Sequence, residues 1–160
     1  MKLKNVKPTN ICYNWSTIYV GIEEGYFDET VLTDYAIELM EKGEDSDFIN
    51  EMAWGISKDK LPEVMSNIKI NYLPEIDETK FEWSFENEKL RYVYLANLKN
   101  ESKDNQELLN GIAQFHDNHN YPEDMIPFIN YMPQDSPSNE NDMLKKFNEF
   151  LKIEKEKLLG

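Results

Sequence analysis

The chain has 160 residues, the length of one ordinary domain, and that is enough to bury a core without disulfides or metals. Acidic residues number 31 against 17 basic ones, so the formal net charge is −14. Such a surface repels phosphate, which excludes a free-standing nucleic-acid-binding protein, and no apolar run approaches the ~18 residues of a membrane span. Cys12 is the sole cysteine, and no apolar run of a secretory signal follows the N-terminal lysines. We therefore expect a cytoplasmic protein that binds neither nucleic acid nor membrane.

The N-terminal half predicts four amphipathic helices over residues 14–25, 28–43, 45–56 and 59–74. Their predicted N-caps are Asn14, Asp28, Ser46 or Asp45, and Asp59. The second helix has the clearest apolar stripe, formed by Val31, Leu32, Tyr35, Ala36, Leu39 and Met40. Glycines and Pro74 end these helices, so the links between them are short.

Residues 75–86 carry a different pattern. Phe81, Trp83 and Phe85 alternate with polar residues, which is typical of a strand. A single strand would have no partner, so we expect a loop or an irregular helical lead-in whose aromatic side chains are anchored in the core. A strand is the alternative.

The C-terminal half predicts helices over residues 87–100 and 104–118, and a last one that Ser138 or Asn139 caps and that runs to about residue 159. Gly111, inside an apolar stripe, indicates a close approach of two helices. Four prolines in residues 120–138 forbid a long helix, but their apolar neighbours predict a packed connection with a short helical turn at 122–129. We predict one all-α domain over residues 1–160, an irregular antiparallel stack or bundle of about six to eight helices.

The acidic residues are concentrated in residues 21–88, which hold nineteen acids and five bases, a difference of −14. Two clusters there are candidates for a face that binds a basic protein partner: Glu41, Glu44, Asp45 and Glu51, and Asp77, Glu78, Glu82 and Trp83. The second cluster is the stronger candidate by sequence, because aromatic residues beside acids are typical of an interface anchor with a charged rim. The alternative for both is a solvated surface that keeps the protein soluble.

The tryptophans Trp15, Trp54 and Trp83 are expected in the core or just beneath the surface. Trp54 lies off the inward stripe of the third helix, so we expect it to pack on a neighbouring helix. Partial exposure at a binding groove is the alternative.

Candidate chemistry is sparse. His116 and His119 lie three residues apart and could hold a metal with a borrowed third ligand, but HExxH is absent and histidine at a helix end is a common structural choice. Cys12 is expected as a buried small apolar residue rather than a nucleophile, because nothing beside it would lower its pKa. We therefore expect no enzyme activity, catalytic residue, cofactor or metal.

A family resemblance is carried by four segments, namely 14–21 from Asn14-Trp15-Ser16 to Gly21, 34–39 (Asp-Tyr-Ala-Ile-Glu-Leu), 48–55 and the tail 131–135 (Tyr-Met-Pro-Gln-Asp). They resemble a family of small acidic bacterial proteins classed as a domain of unknown function. Some families of this type are thought to act as immunity proteins beside secreted polymorphic toxins, and the resemblance implies that association. It supplies no catalytic residues.

The sequence therefore favours a non-enzymatic, acidic binding protein, and most specifically an immunity protein that neutralises a basic, nuclease-like toxin. The main alternative is a helical adaptor or scaffold that binds through an apolar groove. A third hypothesis is a metal-dependent hydrolase that uses His116 and His119. The oligomeric state is left open by the sequence.

Overall fold

The computed structural model describes residues 1–132 and 139–159, in which helices dominate and no strand occurs. The α-helices are α1 Trp15–Glu23, α2 Thr30–Glu41, α3 Asp47–Ala53, α4 Leu61–Tyr72, α5 Phe81–Glu101, α6 Asn105–Asn118 and α7 Glu140–Leu159. Short 3₁₀ turns lie at Leu3–Asn5, Lys7–Thr9, Lys58–Lys60 and Glu123–Phe128. The all-α prediction is thus confirmed. Residues 133–138 of the predicted Pro-rich connection, including the proposed Ser138 cap, lie outside the described residues.

Side-chain caps explain where several helices begin. The side-chain oxygens of Asn14, Ser46 and Asp104 each accept the backbone N–H three residues on, at 3.2, 3.2 and 2.8 Å. The Asp59 cap was wrong, because Asp59 lies within the Lys58–Lys60 turn and caps nothing. Asp28 does accept the N–H of Thr30 at 3.0 Å, just before α2.

Two helix boundaries differ from the prediction. Helix α3 ends at Ala53 instead of continuing to residue 56, because the next residues turn away and Gly55 adopts a left-handed φ of +112°. Helix α5 begins at Phe81, so residues 81–86 are regular helix, which agrees with a helical lead-in and rules out the loop and the strand. The expected anchoring of the aromatic side chains in the core was wrong for Phe81, which is 82% exposed. The aromatic alternation was misleading, since Phe81 stacks on Phe85 across one helical turn.

Residues 1–93 form one compact unit. Helix α2 packs on α3, and α1 contacts α4. Its most buried side chains include Ile18, Val20, Val31, Leu32, Ala36, Ile49, Met52, Ile68 and Leu90. Gly21 is required where α1 meets Phe27, because a Cβ there would lie 2.6 Å from Cε2 of that ring.

Residues 94–160 form a second compact unit. Helix α7 packs on the Glu123–Phe128 turn, and Phe128 meets Phe147 and Phe150 at ring distances of 5.4 and 5.2 Å. The close approach predicted at Gly111 is confirmed, since a Cβ there would lie 2.8 Å from Cδ1 of Leu98. The prediction of one domain over residues 1–160 stays a prediction.

Two further observations bear on the sequence analysis. Among the described residues, each helix is too short or too polar to cross a membrane. The expectation that Cys12 is buried was wrong, because its neighbour Ile11 enters the core and Cys12 is exposed.

Candidate functional site

The turn that follows α2 brings Glu44 and Asp45 close to Ile37 and Met40, two exposed apolar residues of α2. Gly43, with a φ of +95°, reverses the chain: its N–H donates to the carbonyl of Met40 at 3.0 Å, and the N–H of Glu44 donates to that of Leu39 at 3.0 Å. This is a Schellman arrangement, which needs a residue that tolerates positive φ. The turn places Glu44 and Asp45 beside the exposed end of α2.

The end of α3 projects a tryptophan into solvent. The N–H groups of Trp54 and Gly55 donate to the carbonyls of Glu51 and Met52 at 3.3 and 3.1 Å, which closes the last turn. The inward positions of α3 are taken by Ile49 and Met52, each 1% exposed. Trp54 is consequently 92% exposed, so its expected place in or beneath the core was wrong.

An open groove of about 930 Å³ runs between α2 and α3, and we call it the Trp54 groove. Its apolar members Ile37 and Met40 are 41% and 43% exposed. The residues that line it are Ile37, Met40, Glu41, Gly43, Glu44, Asp45, Asn50, Ala53 and Trp54. The groove therefore combines three exposed apolar side chains with three carboxylates.

The carboxylates of the Trp54 groove are largely unengaged. Within residues 1–132 and 139–159, Glu41 and Glu44 form no ion pair, and Asp45 accepts a hydrogen bond from Asn50 at 3.0 Å. The charge of Glu44 also acts on a buried side chain. Burial raises the pKa of Tyr35, and the negative charge of Glu44 raises it further. The groove thus presents three carboxylates to solvent, and one of them also acts on Lys7, whose pKa is raised mainly by Glu38 and slightly by the charge of Glu41.

A smaller cleft of about 230 Å³ lies between α3 and α4, and we call it the α3–α4 cleft. Trp54 borders both this cleft and the Trp54 groove, and Gly55 borders the cleft. Phe48, Met52, Ile56 and Val64 supply its apolar lining, and its polar lining consists of Glu51, Lys60, Glu63 and Asn67. Trp54 is therefore the shared edge of two adjoining depressions.

The second acidic cluster is organised differently. Nε1 of Trp83 donates to Glu24 at 2.8 Å, and its ring meets Tyr19 edge-on at 6.1 Å. Glu82 accepts the hydroxyl of Ser16 at 2.6 Å. These side chains fasten the first turn of α5 to α1, which is a structural role.

The remaining members of the second cluster are also engaged. Asp77 accepts the N–H and the hydroxyl of Thr79, both at 2.8 Å. These bonds, backbone first, lower the pKa of Asp77, with smaller effects from Lys80 and Lys69. Asp77, Glu78 and Trp83 line one depression of about 250 Å³, and Lys69 lies in the same depression. The positive charge of Lys69 therefore partly offsets the negative charges of Asp77 and Glu78.

The structure thus brings Glu41, Glu44 and Asp45 together, whereas Glu51 lines the adjoining cleft. Sequence reasoning missed Ile37, kept exposure of Trp54 only as the alternative, and assigned Met40 to the inward stripe, which was wrong. A signal was present, since Trp54 fell off the helical stripe and Gly55 followed it. An apolar residue off its stripe at a helix end is a candidate for exposure.

The two histidines make structural contacts in residues 94–160. His116 is fully buried, and its ring nitrogens lie 3.1 Å from the hydroxyl of Tyr131 and 3.0 Å from the carbonyl of Pro122. His119 stacks on Phe115 at 4.1 Å. Across the described part of the chain, no three His, Cys, Asp or Glu side chains are grouped as metal ligands. Both nitrogens of His116 are therefore occupied by the fold itself.

Comparison with known families places the chain. Residues 3–155 match the model of a family described as "Uncharacterized protein conserved in bacteria (DUF2247)", and the chain belongs to this family. The predicted bacterial family of unknown function is thereby confirmed. No curated protein and no solved structure matches the chain significantly.

Proposed function

We propose that this member of the DUF2247 family is a non-enzymatic protein that binds a basic protein partner through the Trp54 groove. The observation that carries the proposal is the 92% exposure of Trp54 beside Glu41, Glu44 and Asp45. An indole left in water forgoes the free energy of burial, of the order of 25 cal/mol per Å². A partner that covers it recovers that free energy.

The composition of the groove matches that of a binding hot spot. Tryptophan is enriched among residues whose truncation costs more than about 2 kcal/mol of binding free energy. The carboxylates of Glu41, Glu44 and Asp45 rim the apolar patch, where they accelerate encounter with a positively charged surface and disfavour acidic partners. We infer from this that the partner is basic.

The more specific proposal is that the protein is an immunity protein that neutralises a basic toxin. A nuclease must attract phosphate, so the surface around its active site is basic. A preformed acidic face could cover such a surface without any chemistry of its own. The proposal is supported by the charge of the Trp54 groove and by the sequence resemblance described above.

A second candidate is an adaptor that binds through apolar contacts alone. The exposure of Ile37, Met40 and Trp54 favours it. The two candidates differ in their response to salt, because screening weakens charge attraction and leaves apolar burial nearly unchanged. Binding by an adaptor should barely change between low and high ionic strength.

The test uses two variants of equal charge. The groove variant is E41Q/E44Q/D45N, and the control is E123Q/E149Q/E156Q, whose side chains are exposed and lie outside the groove. Each is co-expressed with candidate basic toxins, in cells whose growth reports toxicity. We expect the wild type and the control to restore growth and the groove variant to fail.

Purified proteins then give the mechanism. For the neutralised toxin, we expect the association rate constant of the groove variant to fall about tenfold at low salt and to lose most of its salt dependence. Equal rate constants for the groove variant and the control would contradict the proposed acidic face. Tight binding that is indifferent to both salt and charge would support the adaptor.

A further inference from the structure

The α3–α4 cleft adjoins the Trp54 groove and is built differently from it. Its apolar side is made by Phe48, Met52, Ile56 and Val64. Met52 is buried, while Phe48, Ile56 and Val64 are half-buried and accessible from the cleft. The cleft is thus an indentation in which these apolar side chains lie beside the charged groups of Glu51, Lys60 and Glu63.

The size of the cleft suits one large side chain. An apolar cavity of about 150 Å³ is enough to bind benzene, and this cleft measures about 230 Å³. Glu51, Lys60, Glu63 and Asn67 supply its polar part. An apolar floor beside polar groups is the usual form of a pocket that accepts an anchoring side chain.

We propose that the α3–α4 cleft is the socket for a large apolar side chain, aromatic or long aliphatic, that the basic partner carries next to lysine or arginine. This inference rests on the proposed function. The continuity of the two surfaces supports it, because Trp54 borders both. One segment of the partner can place a basic side chain against Glu41, Glu44 and Asp45 and an apolar one beyond Trp54.

Charge decides between this occupant and a second copy of the chain. Two copies, each with a net charge of −14, repel each other. Their Trp54 grooves would also bring carboxylates face to face. A basic amphipathic segment meets neither obstacle, because its positive charges oppose the rim of the Trp54 groove.

The experiment selects the ligand chemistry without assuming it. Random 16-residue peptides displayed on phage are selected on the full-length protein, and recovered peptides are synthesised and titrated by fluorescence anisotropy. We expect them to share one Phe, Trp, Leu or Met flanked by Lys or Arg. The cleft variant Asn67→Phe, which fills the socket, should weaken binding about tenfold or more.

Two controls separate the cleft from the helix that carries it. Ser66→Phe adds the same side chain one residue earlier on α4, outside the cleft, and should leave the affinity unchanged. Replacing the apolar residue of the peptide by Ala should also weaken binding to the wild-type protein about tenfold, but should weaken binding to Asn67→Phe little further. The measurement on the wild-type protein remains valid even if Asn67→Phe unfolds.

The outcomes distinguish the inference from the proposed function. Basic peptides without a shared apolar residue, weakened by E41Q/E44Q/D45N but not by Asn67→Phe, would overturn the socket and leave the acidic face standing. Peptides indifferent to E41Q/E44Q/D45N would overturn the proposed function itself. A failure to enrich any peptide, or a dimer in sedimentation that Asn67→Phe dissociates, would also overturn the socket.

Discussion

Trp54 and Trp83 both lie beside acidic side chains, yet their surroundings differ. The indole of Trp83 donates to Glu24, and its neighbour Glu82 accepts from Ser16, so that region holds α5 against α1. Trp54 projects from the end of α3, and Glu41 and Glu44 near it form no ion pair within the described residues. The comparison teaches that similar acid–aromatic sequence patterns can either be joined to the fold by hydrogen bonds, as at Trp83, or be left facing solvent, as at Trp54.

The largest effect is expected next to Trp83, at a buried ion pair on α5. Glu86 accepts Nζ of Lys89 at 3.0 Å and the hydroxyl of Thr17 at 2.6 Å, and both charged side chains are nearly inaccessible. Glu86→Ala leaves the ammonium group without its carboxylate, so the free energy of unfolding should fall by about 3–5 kcal/mol. Urea unfolding measures this, with Glu44→Gln, expected within about 0.5 kcal/mol of wild type, as the control. Equal losses of unfolding free energy in Glu86→Ala and Glu44→Gln would contradict the structural role assigned to the region around Trp83.

The next effect concerns binding. Trp54→Ala should weaken binding of the proposed basic partner by about 2 kcal/mol or more, roughly 30-fold, because it removes the exposed anchor. Its free energy of unfolding should stay within about 0.5 kcal/mol of wild type. Ile70→Ala is the matched control, since Ile70 is 70% exposed and lies outside both depressions. If Trp54→Ala bound the partner with full affinity, the proposed role of Trp54 as the binding anchor would be wrong.

A smaller, opposite pattern is expected for Trp83→Phe. Phenylalanine keeps most of the ring packing but cannot donate to Glu24, so stability should fall by about 1 kcal/mol. Affinity for the proposed basic partner should be unchanged, which calorimetric titration measures. A loss of affinity without a loss of stability would transfer the binding role to the second cluster.

The smallest effect is a pH dependence at Asp77. Because its bonds to Thr79 lower the pKa of Asp77 in the folded protein, its contribution to stability is present above the ordinary pKa and is lost as the pH falls through the lowered value. Thr79→Val removes the hydroxyl bond and should raise the pKa of Asp77 toward its ordinary value. Carboxyl ¹³C NMR titration follows this directly, and an unchanged titration would show that the bond has no influence.

Local sequence signals predicted much of the fold. The caps Asn14 and Ser46 and the close approach at Gly111 could be predicted because each depends on a few neighbouring residues. The start of α5 could not be predicted in this way, since Glu82 and Glu86 are held by hydroxyl groups on α1, more than sixty residues away along the chain. Alternation of aromatic residues therefore kept a strand at 81–86 as the alternative and hid the regular start of α5.

The candidate site was predicted in part. Counting charge identified Glu41, Glu44 and Asp45, which the structure gathers in one groove. Exposure of Trp54 depends on where α3 stops, and a one-turn error in that boundary moved the indole into the expected core. The sequence also favoured the second cluster as the binding face. The bonds from Trp83 to Glu24 and from Ser16 to Glu82 join residues that are distant along the chain, so no local pattern reveals them.

Site-specific photo-crosslinking tests the central claim most directly. A photoreactive amino acid replaces Met40 in the Trp54 groove or Ser84 beside Trp83, both of which are exposed, and the complex with the proposed basic partner is irradiated. We predict a one-to-one crosslink to this partner from position 40 and none from position 84. A crosslink from position 84 and none from position 40 would contradict the assignment of the Trp54 groove as the binding face.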